Sequence, residues 1–158
     1  MTSRIDLAMR IQELDEGFEP DPYYCTEKYP TIGHGFRIEG TKQHDPLPVG
    51  MSITLKESLA KLHAKTIAND TKLQIHDETK TAYENANDLQ KAVMLSMVHQ
   101  LGFYGLLKFK KFLYAARNKN WKEASRQALD SVAAKQAPKR WARNAAMIES
   151  GELHSYYA

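Results

Sequence analysis

A single cysteine, Cys25, stands in the 158 residues, which excludes an intramolecular disulfide and any metal site built from several thiolates. The six histidines, at 34, 44, 63, 76, 99 and 154, fall in no metal-ligand spacing, so neither a metal nor a cofactor is expected. No apolar run approaches the ~18 residues that a membrane span needs. Met1 to Arg10 lacks the hydrophobic centre of a signal peptide, and the expectation is a chain made in a cytoplasm with no export signal of its own. Internal repeats, low-complexity tracts and flexible linkers are all missing. One compact unit is the organisation that remains.

What is present is an ordinary globular composition, 42% hydrophobic and 26% charged, with an uneven distribution of charge. Residues 1–100 hold 11 basic and 15 acidic side chains, and residues 101–158 hold 11 basic and 4 acidic, so the net charge of +3 divides into −4 and +7. A basic C-terminal half, with Lys108, Lys110, Lys111, Arg117, Lys122 and Arg126, can engage an anionic envelope or can simply be a solvated face. Neither nucleic acid nor an oligomeric partner is expected.

Leu7, Ile11, Leu14 and Phe18 recur at helical spacing, which predicts a helix over about 4–16 that ends at Gly17 and carries Glu16 in its last turn. Pro20, Pro22 and Pro30 forbid helix next, and Tyr29 to Ile38 predicts a tightly turned β element. Glu39 to Gly50 is a polar loop. Thr54 and Glu57 form a capping-box pattern that opens a long helix to about Gln74. Asp88 to Leu101 is apolar nearly all round and predicts a buried central helix. Three more helices are expected, around Phe109 to Ala116, from Asn120, and from Pro138 through Trp141 and Ile148. The fold class is α+β, mostly α. One domain spans 1–158, divided into a small β-hairpin lobe at 1–53, a connecting helix at 54–75 and a helical lobe at 76–158.

Glu16, Cys25 and Thr31, separated by eight and five residues, are the densest chemistry in the chain. A carboxyl at a helix C-terminus meets the negative end of the macrodipole, which disfavours its charged form and suits a proton donor. Glycoside cleavage needs such a donor, plus a second group that activates water or attacks the sugar. Cys25 could act as base, stabiliser or nucleophile and Thr31 could hold water, while Gly33 and Gly35 would let backbone approach a bulky ligand. Each residue also has a plainer reading as a solvated acid, a small core thiol or a turn hydroxyl.

The runs Leu14-Asp15-Glu16-Gly17, Tyr23-Tyr24-Cys25-Thr26-Glu27 and Thr31-Ile32-Gly33-His34-Gly35 resemble the active-site segment of phage-type lysozymes, glycoside hydrolase family 24. Met97 to Gly102, Gly105 to Phe109, Trp121 to Ala124 and Gln136 to Arg140 are similar to later segments of that family, in the same order. The resemblance implies a two-lobed lysozyme-like fold and an endolysin that hydrolyses the β-1,4 bond between N-acetylmuramic acid and N-acetylglucosamine in peptidoglycan, lysing the host. It makes Glu16 the general acid, Cys25 the occupant of the second catalytic position, and Thr31 the holder of the attacking water. Glu27, Gln100, Gly102 and Phe109 match substrate-binding positions, and Arg140 matches an arginine that pairs with the catalytic glutamate. Cys25 stands where aspartate is commoner. A thiol ordinarily ionises near pH ~8.5 and an aspartate near ~3.9, so a permanent anion is exchanged for a titratable one.

The resemblance further implies a monomer held in the host cytoplasm until a holin lesion admits it to the periplasm. Two other readings stand beside it: a cysteine-dependent peptidase or amidase with His34 as base, and a non-catalytic peptidoglycan-binding module.

Overall fold

A computed structural model describes residues 2–158. Helix α1 (Arg4–Glu16) is fixed at its start by Ser3 and Asp6, which satisfy each other's backbone amides, and it stops at Gly17. Glu16 is therefore its last residue, as the apolar spacing predicts.

A three-stranded antiparallel sheet follows in the order β1-β2-β3: β1 (Glu19–Tyr24), β2 (Pro30–Gly33) and β3 (Phe36–Arg37). Strands β2 and β3 lie inside the expected β element. Strand β1 does not, because Pro20 and Pro22 erase its sequence signal. It tolerates them as an edge strand whose register slips between Glu19, opposite Gly33, and Tyr23, opposite Thr31. Prolines fit at edges and bulges, where no ladder amide is needed. The polar connection after β3 returns to cover that edge, and the Pro20 carbonyl accepts from the Ile53 amide at 2.9 Å.

Helix α2 (Leu55–Ile75) opens on the predicted capping box: Thr54 Oγ1 accepts from the Glu57 amide at 3.1 Å, and Glu57 Oε1 accepts from the Thr54 amide at 3.0 Å. Along its length it touches first the sheet and then the helical body. Ser58 Oγ accepts from the His34 amide at 3.0 Å, Thr66 accepts from Gln12 of α1 at 3.0 Å, and Asp70 accepts from both Arg4 and Tyr83.

Beyond the short α3 (Lys80–Asn85), α4 (Asp88–Leu101) is the central element, with Leu89, Gln90 and Ala92 to Val98 all buried. Met94, Leu95 and Met97 are fully enclosed, each contributing roughly 1.5–3 kcal/mol. Around α4 lie α5 (Phe103–Leu107), α6 (Lys110–Arg117), α7 (Trp121–Leu129), α8 (Val132–Gln136) and α9 (Pro138–Ser150), followed by a 3-10 turn at Ser155–Tyr157. Asn120 caps α7 through the Glu123 amide, and Pro138 starts α9. Trp141 of α9 is fully buried and stacks on Phe109, with ring centroids 5.6 Å apart.

Asp70 is the polar anchor between α1, α2 and α3. It takes a two-pronged contact from Arg4 at 2.7 and 2.9 Å, the Tyr83 hydroxyl and Gln74 Nε2 at 2.8 Å. Burial works to raise its pKa, but the Arg4 and Tyr83 hydrogen bonds outweigh burial and hold the carboxyl below the usual range. A depressed carboxyl stabilises the fold above its unfolded value, 3.8, and that contribution is lost as pH falls through the folded value. His34 and His99 are held below their usual range mainly by burial, so stability also falls as pH drops below about 6.5, where only the unfolded chain takes up the protons. Asp70→Ala orphans the buried Tyr83 hydroxyl and should cost about 2–4 kcal/mol in urea unfolding at pH 7. The variant should also flatten the acid limb below pH ~4. A variant whose acid limb superimposes on the wild type would show that Asp70 is not its source.

Candidate active site

Where the end of α1, the turns of the sheet and the start of α9 converge, a cleft of about 400 Å³ opens. Glu16, Cys25, Thr31, Glu27, Gln100 and Arg140 all line it. Helix α1, the β1–β2 hairpin, α4 and α9 supply them, and the sequence spacing brings Cys25 and Thr31 to Glu16 only through the β1–β2 turn. That turn is closed by the Cys25 amide donating to the Tyr29 carbonyl at 3.1 Å and the Lys28 amide donating to the Cys25 carbonyl at 2.9 Å.

Glu16 Oε1 is 2.9 Å from Arg140 Nη1. The same guanidinium places Nε 3.3 Å from Asp15 Oδ2, close enough for attraction but out of line for a hydrogen bond. The Asp15 side chain is wholly buried. It is also held by Arg143 Nη2 at 3.1 Å and by the Tyr157 hydroxyl at 2.7 Å. Two carboxylates thus face two guanidiniums. A cluster balanced in this way resists loss of any one member, because an uncompensated buried charge costs about 3–5 kcal/mol. Its effect at Glu16 is positional: Arg140 is held beside Asp15 and presents one nitrogen to the Glu16 carboxyl.

Thr31 is buried, and its hydroxyl donates to the Tyr29 carbonyl at 2.7 Å. With its proton committed there, Oγ1 offers lone pairs to the cleft and suits a water that donates to it. Tyr23 also lines the cleft, and its phenol is pushed up to about 12 by burial first, then by Glu16, Cys25 and Glu19. It remains a hydroxyl donor beside Glu16 and Cys25. His99 lies on the cleft wall and is neutral near pH 7 because burial lowers its ionisation. Its Nε2 is 2.8 Å from the His34 carbonyl, which assigns the ring proton to that nitrogen.

The glycine turn does more than give room. Gly35 has φ +76°, and a Cβ there would collide with Glu16 Oε2 and stand 3.0 Å from its Cδ. Gly35→Ala should displace the carboxyl and lower kcat by about 10²-fold, while backbone strain costs about 1–3 kcal/mol. Steady-state rates and melting on one preparation check this, and an unaltered kcat would show that Glu16 does not need the space.

Two residues matched by resemblance fall outside the cleft. Gly102 ends α4 with φ +77°, its amide bonded to the Val98 carbonyl at 2.7 Å. Phe109 is occupied by its stack on Trp141 and lines a neighbouring cavity. The cysteine–histidine pair is not assembled either. His34 is turned away to Ser58, its Nδ1 2.6 Å from Ser58 Oγ, and is not among the cleft residues. Arg143 and Tyr157 are contributors outside the motif runs, and Asp15 and Tyr23 stand inside those runs with no role assigned by them. The sequence trace of Arg143 is its spacing from Arg140, three residues apart on one helix face.

Among the described residues no group of acidic, histidine or cysteine side chains is placed to hold a metal, and no helix is long and apolar enough to cross a membrane. The model of the phage lysozyme family matches residues 13–144. Probable T4-type lysozyme 1 of Dictyostelium discoideum is 30% identical over 159 residues, covering 90% of this chain and 93% of that protein. Probable T4-type lysozyme 2 of the same organism is 30% identical over 125 residues, covering 79% and 69%. The pre-baseplate central spike protein of Enterobacteria phage T4 is 26% identical over 157 residues, covering 90% of this chain but 27% of its own length.

Proposed function

Because the chain belongs to the phage lysozyme family, whose lysozyme relatives support peptidoglycan hydrolysis, we propose that it is a muramidase cutting the β-1,4 bond between N-acetylmuramic acid and N-acetylglucosamine. The observation that carries this reading is the convergence of Glu16, Cys25 and Thr31 on one cleft, with Arg140 2.9 Å from the Glu16 carboxyl.

Glu16 delivers a proton to the glycosidic oxygen as the bond breaks, and general acid catalysis of this kind contributes about 10²–10⁴-fold. As the leaving oxygen takes the proton, Glu16 becomes an anion, and Arg140 is already in place to receive that charge without reorganisation. Thr31 Oγ1 accepts a hydrogen bond from the attacking water, Cys25 faces the developing positive charge on the sugar, and the proton that the water sheds as it bonds to the anomeric carbon passes to solvent, from which Glu16 regains its own. Glu27 of the β1–β2 turn and Gln100 of α4 both line the cleft and would hold the saccharide. Gln100 Oε1 is buried with no hydrogen-bond partner among the described residues.

Lysis of the host from within, after a holin lesion, is the cellular role that goes with this chemistry. The bond is tested by digesting purified peptidoglycan and reducing the new ends with borohydride. Reduced muramic acid supports the reading, reduced glucosamine places the cut at the other linkage, and free amines without reducing ends assign a peptidase or amidase. Expression with and without a co-expressed holin tests the cellular role, with lysis expected only in its presence.

A further inference from the structure

The turn at Gly33, His34 and Gly35 is held by three helices at once. A Cβ on Gly33 would stand 2.6 Å from Ser58 Oγ of α2. The His34 amide donates to that same oxygen at 3.0 Å, and the His34 ring lies against Ser58 and Phe18. Gly35 closes the run on the Glu16 carboxyl of α1, with no room for a Cβ between them. One polar group of the turn is left, the His34 carbonyl, and it accepts from His99 Nε2 of α4 at 2.8 Å.

His99 is half-buried on the cleft wall, edge-on to Phe36 with ring centroids 5.8 Å apart. Glu16 of α1, Lys65 of α2 and Arg140 of α9 surround it, and burial keeps the ring neutral among them. A carbonyl only accepts, so the single N–H of this imidazole is committed to the turn. The carbonyl of residue 34 and the amide of Gly35 share one rigid plane, and fixing that plane fixes the Gly35 Cα. Glu16 is therefore bounded at both oxygens. Arg140 takes Oε1 at 2.9 Å, and Gly35 backs Oε2. The arginine contact alone would leave the carboxyl free to pivot about Oε1.

We propose that His99 is a positioning residue for proton delivery: its Nε2–H locks the His34–Gly35 peptide, and that peptide stops the Glu16 carboxyl from turning away from the bond it protonates. The inference rests on the muramidase reading, since proton delivery by Glu16 is the step that it serves.

Two variants separate the N–H from the bulk of the ring. His99→Phe keeps a ring beside Phe36 and loses the donor, whereas His99→Gln loses the ring and keeps an amide N–H at the place of Nε2. On soluble glycan strands, His99→Phe should lower kcat about tenfold with KM unchanged, and His99→Gln should hold kcat within about threefold of wild type. Wild-type kcat in His99→Phe overturns the proposal. So does a His99→Gln protein as slow as His99→Phe, which would assign the effect to the ring. Should His99→Phe fail to fold, His99→Met, which also lacks an N–H, carries the same expectation against His99→Gln. A second arm follows two NMR resonances of isotope-labelled protein without substrate: the Gly35 amide nitrogen, and the Glu16 carboxyl carbon, assigned by its loss in Glu16→Gln. Both should move in His99→Phe and return toward wild type in His99→Gln. A Gly35 resonance that moves while Glu16 stays, or a Gly35 resonance that does not move, overturns the proposal. This arm needs no turnover, so if wild type cuts no glycan the muramidase reading falls while the link from His99 to Glu16 is still decided.

Discussion

Glu16→Gln should lower turnover on peptidoglycan by about 10²–10⁴-fold, the range expected when a general acid is removed from a bond that needs one. The amide keeps the size and the acceptor oxygen, so the contact with Arg140 survives in weakened form. Arg140 also retains Asp15 as its charged partner at 3.3 Å. Removing one carboxylate from the balanced, largely buried cluster should lower stability by about 3 kcal/mol, and the variant should still fold and pellet with insoluble peptidoglycan. Rate, melting and pelleting on the same preparation separate chemistry from folding. Full activity in this variant would end the mechanism, because no other carboxyl in the cleft is free to take the role: Asp15 is enclosed by Arg140, Arg143 and Tyr157, and Glu27 is exposed beside Arg37.

The second large effect concerns Cys25. Cys25→Asp should keep activity within about tenfold of wild type, and Cys25→Ser should lower it about 10²-fold. A carboxylate or thiolate can oppose the positive charge that builds on the sugar, whereas a serine hydroxyl remains neutral across the working pH range. The thiol is partly exposed in the cleft, so iodoacetamide should reach it and inactivate the wild type while sparing Cys25→Asp. Equal sensitivity of both proteins would put the essential target elsewhere. A fully active Cys25→Ser would reduce the thiol to a packing role.

The elements that could be read from sequence are those whose signals are local. Helices α1, α2, α4, α7 and α9 announce themselves through apolar period, a capping side chain or a first-turn proline; the structure begins each within a residue or two of expectation, and it ends α1, α2 and α4 equally close to theirs. Helices α3, α5 and α8 do not, since at five or six residues each they are too short to show a period. Two of them, α3 and α5, also lack a side-chain cap, and packing against neighbours sustains them. Strand β1 is hidden by its prolines for the physical reason that an edge position excuses them. In the cleft, the local triplet of Glu16, Cys25 and Thr31 was legible because a helix end and one hairpin turn bring it together. The buried partners of Asp15 were not, because Arg143 and Tyr157 reach it from 128 and 142 positions away. Nothing in spacing encodes such contacts.

That separation also orders events during synthesis. A ribosome releases the α1 segment and the hairpin early, yet Arg140, Arg143 and Tyr157 emerge only when nearly all of the described chain has been made. Until then Asp15 and Glu16 have no counter-ions, and two adjacent carboxylates repel each other in an unfinished cleft. Contacts of such long span form slowly and late. The Glu16 carboxyl is thus set in place among the last events of folding, so an interrupted nascent chain holds Glu16, Cys25 and Thr31 without the groups that orient Glu16.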